Sequence, residues 1–224
     1  MKYKCPCCGC YTFDNKPDGS YDICQVCFWE DDPIQLEDPT CEGGANKVSL
    51  IQAQKNYKKF GACEREMIPH VRKPTENEYL IKYFYEELIM SLITMSLPAE
   101  EQNDMIGIGC TGDEILQDFS NSYIDRKQFY LDNNVFDDKR IQILDEFDRF
   151  LNKYDGHDEN FYWDIEQLKS NPLWEELRVQ AKIVISQVFG MIYRIEIERK
   201  NELVDGKLIE HTRRKLIEVK DEVP

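Results

Sequence analysis

The stretch from Cys5 to Cys27 constrains this chain more than any other. It reads Cys5-Pro6-Cys7-Cys8-Gly9-Cys10, then a polar span, then Cys24-Gln25-Val26-Cys27. Fifteen residues separate the two Cys-x-x-Cys pairs, counted between Cys8 and Cys24. Two such pairs bring four thiolates to the corners of one tetrahedral ion, each at about 2.3 Å. The first cluster offers two registers, Cys5 with Cys8 or Cys7 with Cys10. The first is favoured: Pro6 presets φ inside the knuckle, and Gly9 accepts a left-handed backbone after the second ligand. Amides of such a knuckle can point at the thiolates. The expected ligand set is Cys5, Cys8, Cys24 and Cys27, and the expected ion is Zn(2+). Iron could occupy the same four thiolates.

Two other uses of cysteine compete with this one. The chain has nine cysteines, an odd number, and Met1-Lys2-Tyr3-Lys4 carries no apolar signal region. The expectation is therefore a reduced, cytoplasmic protein without disulfides. A redox Cys-x-x-Cys needs a strand-to-helix context, whereas Asp14-Asn15-Lys16-Pro17-Asp18-Gly19 reads as a hairpin turn. Cys7, Cys10, Cys41, Cys63 and Cys110 then read as small buried hydrophobes or loop thiols. A second metal site built from Cys7, Cys10, Cys41 and Cys63 is their alternative use.

Several blocks occur in a fixed order. They are Lys4-Cys5-Pro6-Cys7-Cys8-Gly9, Tyr21 to Pro33, Gly43-Gly44-Ala45-Asn46, Ser49-Leu50 and Phe60-Gly61-Ala62-Cys63. Together they resemble the bacterial cysteine-rich CPCC family over roughly residues 1–77. The resemblance implies a small zinc-ribbon-type module, similar to modules found beside bacterial toxin and immunity genes, and it carries no established chemistry. Two departures are Gln25, where the family more often has Pro, and the additional Cys10.

Charge is distributed unevenly. The formal total is −15. Residues 1–75 hold 10 basic and 11 acidic side chains, and residues 76–224 hold 18 and 32. Residues 98–176 alone hold 7 basic and 20 acidic, a net of −13. Such a field repels phosphate backbones, so no nucleic-acid partner is expected, and it attracts cationic proteins. No apolar run reaches the roughly eighteen residues a membrane span requires.

The expected fold class is α+β: a zinc-ribbon-like module over 1–77, then a mainly helical acidic domain over 78–224. In the first, two short hairpins carry the knuckles. Tyr11 to Phe13 and Ser20 to Ile23 have strand character, and Tyr21, Phe28 and Trp29 are expected to cover the metal. Glu30-Asp31-Asp32 reads as a solvated turn ending at Pro33, and 33–46 as a loop. Ser49 caps a helix that runs to about Phe60, with Leu50, Ala53, Tyr57 and Phe60 on one face and Gly61 as its stop. Residues 64–78 read as an extended linker.

In the second domain, Tyr79 to Leu97 is a helix ended by Pro98. Gly107 to Gly112 spells G-x-G-x-x-G without the strand a phosphate loop needs, and Thr111 with Glu114 fits a capping box for a helix over 112–124. Ile141, Leu144, Phe147, Phe150 and Leu151 mark another amphipathic helix. Tyr154 to Asn160 is acidic but lacks EF-hand order, so it reads as a solvated loop. Phe161-Tyr162-Trp163 and Leu173-Trp174 are core rings if buried and interface anchors if exposed. Leu177, Ala181, Val184, Val188 and Ile192 continue a long helix; 191–198 fits helix or strand. Asp205-Gly206 marks a turn before a last amphipathic segment, 208–219, which carries Arg213-Arg214-Lys215.

Two functional classes follow. One is a protein–protein binder, specifically an immunity-type protein masking a basic toxin or another cationic partner. The other is an enzyme using the metal or Cys110, although His70, His157 and His211 sit in no catalytic pattern. A purely structural zinc module is the third use.

Overall fold

A computed structural model describes residues 2–107, 109–190, 192–204 and 207–219. The chain divides into two units, Met1–Phe84 with Gln128–Asp137 and Tyr85–Lys127 with Asp138–Pro224. The architecture is α+β, with helices of five to 21 residues and, among the described residues, two separate two-stranded sheets.

In the first unit, β1 (Tyr3–Lys4) pairs antiparallel with β2 (Tyr11–Phe13), so the first knuckle is the turn of its own hairpin. The second knuckle is closed the same way, by an Ile23–Glu30 bridge. Residues 20–23 therefore pair with the chain beyond Cys27 and not with β2. The stretch 14–19 is correspondingly no hairpin turn. The amides of Asp18, Gly19 and Ser20 all donate to Asp31 Oδ2, at 2.8–3.0 Å.

Asp31 and Asp32 correct the reading of a solvated turn: both are buried. Asp32 caps α1 (Pro33–Glu37), accepting from the amides of Ile34 and Gln35 with Oδ1, while Oδ2 accepts from Ala45 N. Pro33 thus opens a helix, since its missing N–H costs nothing at the first helical position. Gln35 is buried beneath, bonded to Asn46 and to the carbonyls of Cys41 and Val48. The 33–46 segment is held by these bonds and by Leu36, which packs against the core of the unit.

Ser49 caps α2 (Leu50–Phe60) through Gln52 N, and Gly61 ends it at φ +81°. Leu50 and Ala53 are buried, with Tyr57 packed on the same core. Residues 65–70 form a 3-10 turn and not the expected extended arm.

Helix α3 (Glu76–Ser96) includes residue 77, and α6 (Lys127–Asp132) follows later in the chain. Within the first unit, Phe84 meets Phe129 edge-on, and Tyr130 donates to Phe84 O.

The second unit continues α3 from Tyr85 and adds α4 (Ala99–Ile106), α5 (Thr111–Phe119), α7 (Asp138–Leu151), α8 (Glu159–Trp163), α9 (Ile165–Ser170) and α10 (Pro172–Phe189). A π-helical turn, Ser120–Ile124, ends α5 short of the expected length. The expected capping box does not form. Cys110 is the N-cap residue and makes no side-chain bond, while Thr111 donates to Asn103 Oδ1. Aromatic packing carries this core: Trp174 stacks on Phe161 at 4.9 Å, and Phe119 meets Phe147 edge-on at 5.2 Å. Arg178 is buried and donates to the carbonyls of Leu97 and Leu168 and to Gln102 Oε1. These bonds pair the buried guanidinium with acceptors, as burial of a charge requires.

Gly112 reports how tightly this unit is packed. A β-carbon there would meet Tyr162 O at 2.9 Å and the Trp174 ring at 3.0 Å. The last glycine of the motif thus marks a close approach of helices, and Ile108, within the motif, lies outside the described residues. Gly112→Ala gains about 1 kcal/mol of helix propensity. Overpacking against backbone outweighs that gain, for a net loss of roughly 1–2 kcal/mol. A urea denaturation comparison reads it directly.

After Gly190 the chain turns to strand. β3 (Ile192–Val204) pairs antiparallel with β4 (Lys207–Val219), so Ile192 opens a strand and does not continue α10. The Asp205-Gly206 turn lies outside the described residues. Among the described residues, no helix is long and apolar enough to cross a membrane.

Candidate metal centre

The two knuckles share one hydrogen-bond pattern. Cys5 N donates to Cys10 O and Gly9 N to Cys5 O; Cys24 N donates to Trp29 O and Phe28 N to Cys24 O, all at 2.8–2.9 Å. The residue after each second cysteine is left-handed, Gly9 at φ +73° and Phe28 at φ +67°. Glycine takes this conformation freely, and phenylalanine does so at some cost in strain. Phe28 holds it while packed beside His70, with ring centroids 5.5 Å apart.

The knuckles face each other and bring Cys5, Cys8, Cys24 and Cys27 together. Their four sulfurs lie within 4.8 Å of one another and are buried. Cys5 Sγ is 3.6 Å from Cys27 Sγ, and Cys8 Sγ is 3.7 Å from Cys24 Sγ. A tetrahedron with corners about 2.3 Å from its centre has edges of about 3.8 Å, so these spacings fit a thiolate-bound ion. They are far too long for a disulfide, and all nine cysteines are free. These four close cysteines can hold a metal ion.

The four thiols perturb one another. The Cys24 thiol is pulled down by hydrogen bonds from Cys27 and Cys5. Cys27 is pushed up by its bond to Cys24, and Cys5 by burial. Four buried thiols so close cannot all ionise unless a cation sits among them. Two further groups address the sulfurs: Thr12 Oγ1 lies 3.2 Å from Cys24 Sγ, and Cys10 N is 3.5 Å from Cys8 Sγ. Trp29 and Val26 are buried around the cluster, and Phe28 is partly buried against it. Tyr21, expected as a cover, is 54% exposed.

The remaining cysteines do not assemble a second four-thiol site. Cys41 is only half-buried and its thiol faces Glu42 O. Cys7, Cys10 and Cys63 are buried in the first cluster's core. Cys110 is buried at the start of α5, where burial raises its pKa and disfavours a thiolate nucleophile. His157 stacks on Phe161 at 4.1 Å. Asp155 and Asp158, of the expected solvated loop, are exposed.

The buried pair Asp31 and Asp32 was missed by sequence reasoning. Its only signal is Pro33 directly after an aspartate, the mark of a capped helix start.

No curated protein matches this chain. Residues 3–78, about a third of the sequence and the part that carries both knuckles, match the model of the Cysteine-rich CPCC family.

Proposed function

We propose that the four thiols hold a structural zinc ion, and that the protein is a protein–protein binding module of the immunity type, masking a basic toxin or another cationic partner. Four protein ligands fill a tetrahedral zinc and leave no position for a reactant, which supports a structural role over a catalytic one. The observation that carries the binding role is Trp163. It is 67% exposed, and exposed Asp158, Glu159, Asp164 and Glu166 flank it in the chain. An exposed indole within an acidic rim has the makings of an interface anchor for a cationic surface. The net negative charge of residues 98–176 would speed association with a cationic partner.

The test is capture of partners from the host, with metal content measured on the same sample. The expected result is one zinc per chain and a co-purifying protein of high isoelectric point whose retention falls steeply with salt. Trp163→Ala should weaken that complex by roughly 30-fold or more, the size of a hot-spot loss. An acidic partner, or equal affinity of the variant, refutes the binding role. A chain purified without metal refutes the zinc.

A further inference from the structure

Seven of the nine cysteines share one core. The four clustered thiols are joined there by Cys7, Cys10 and Cys63, all buried. Chain position fixes Cys7, and backbone bonds fix Cys10 and Cys63, beside the knuckles. Cys7 lies inside the first knuckle, Cys10 closes it through Cys5 N, and Cys63 N donates to Cys27 O at 2.7 Å. Cys10 Sγ also sits 3.8 Å from Tyr57 Oη.

These extra thiols do not suit a second divalent ion, which wants four converging donors. Cys10 lies on the Cys8 side of the cluster and Cys63 on the Cys27 side. A soft monovalent ion asks for less. Cu(I) prefers thiolates, accepts two or three of them, and lets one sulfur bridge two ions.

We propose that this core is also a site for soft monovalent metal ions, taking at least two Cu(I) per chain as a bridged thiolate cluster, with Cys7, Cys10 and Cys63 as ligands beyond the four of the zinc reading. Each ion enters by displacing thiol protons to the solvent, so no oxidant or reductant is consumed. The proposal rests on the four-thiol reading above, but its failure can be told apart from a failure of that reading.

The experiment is an anaerobic titration of the reduced, full-length chain with Cu(I) as its acetonitrile complex, in parallel with Zn(II). Bound metal per chain and Cu(I)–thiolate luminescence are the readouts. The expected result is one Zn(II) but at least two Cu(I). The Cys7→Ser/Cys63→Ser double variant should lose at least one Cu(I) and most of the luminescence while keeping one Zn(II), and Cys10→Ser should lower the Cu(I) count independently. Cys41→Ser should leave both counts unchanged. One Cu(I) or none in the parent overturns the proposal and spares the zinc reading, as does a count that neither variant alters. A parent that binds no Zn(II) overturns the zinc reading instead.

Discussion

Replacing Cys24 by serine is expected to strip the ion from the chain and to unfold residues 3–78. Serine's hydroxyl is a poor ligand for a thiophilic ion, and three thiols do not complete the tetrahedron. The strands here are two and three residues long, too short to stand alone. Structural zinc binding is worth roughly 10–16 kcal/mol in small modules, as much as the whole stability of an ordinary domain. Metal content should fall from one equivalent to near zero. The amide spectrum of residues 3–78 should collapse, and the buried Trp29 indole should shift to a solvated position. Cys41→Ser, half-buried and away from the cluster, should change neither. A Cys24→Ser protein that keeps its ion and spectrum would show that the cluster is not what holds this region.

Asp32→Ala is expected to cost roughly 2–4 kcal/mol, the sum of a lost helix cap and a lost charged hydrogen bond. The carboxylate ties α1 to the Ala45 amide across the loop, so both ends come free together. A pH effect accompanies it. The Ala45 amide first, then those of Gln35 and Ile34, hold the Asp32 pKa below its ordinary 3.8. A group whose pKa is depressed on folding stabilises the fold at pH above its unfolded value and loses that contribution as pH falls through the folded value. The parent should therefore lose stability below about pH 4 more steeply than Asp32→Asn, which cannot titrate. Urea midpoints from pH 2 to 7 on both proteins give the difference, in which contributions common to both cancel. Parallel curves would show that Asp32 contributes no charge-dependent stability.

The knuckles were legible because metal ligation restricts both residue type and spacing, and Gly9 fills the left-handed corner that geometry demands. The Ser49 cap, the Gly61 stop and the Pro98 break were legible for the same reason: each is a local rule with a side chain that announces it. The aspartates were not. Asp31 and Asp32 are bonded to backbone amides from Asp18 to Ser20 and at Ala45, and an amide has no residue type to read. Thr111 fitted a capping box, but the helix opens one residue earlier, with Cys110 at the N-cap, and the Thr111 hydroxyl donates to Asn103 Oδ1 instead. Residues 192–197 satisfied two periods at once. Pairing with residues 207–219 decided for strand, and long-range pairing outweighs local preference at such positions.

The shared pattern of the two knuckles has a consequence for how quickly an ion is taken up. Cys5 N to Cys10 O and Cys24 N to Trp29 O each span only five residues, so each pair of sulfurs can be poised before the distant pair arrives. An incoming ion can dock on either half, shed part of its water, and wait for the other to swing in. Closing the intervening segment is then a fast intramolecular step, so the rate of loading should track ion concentration and not the folding of the remaining chain.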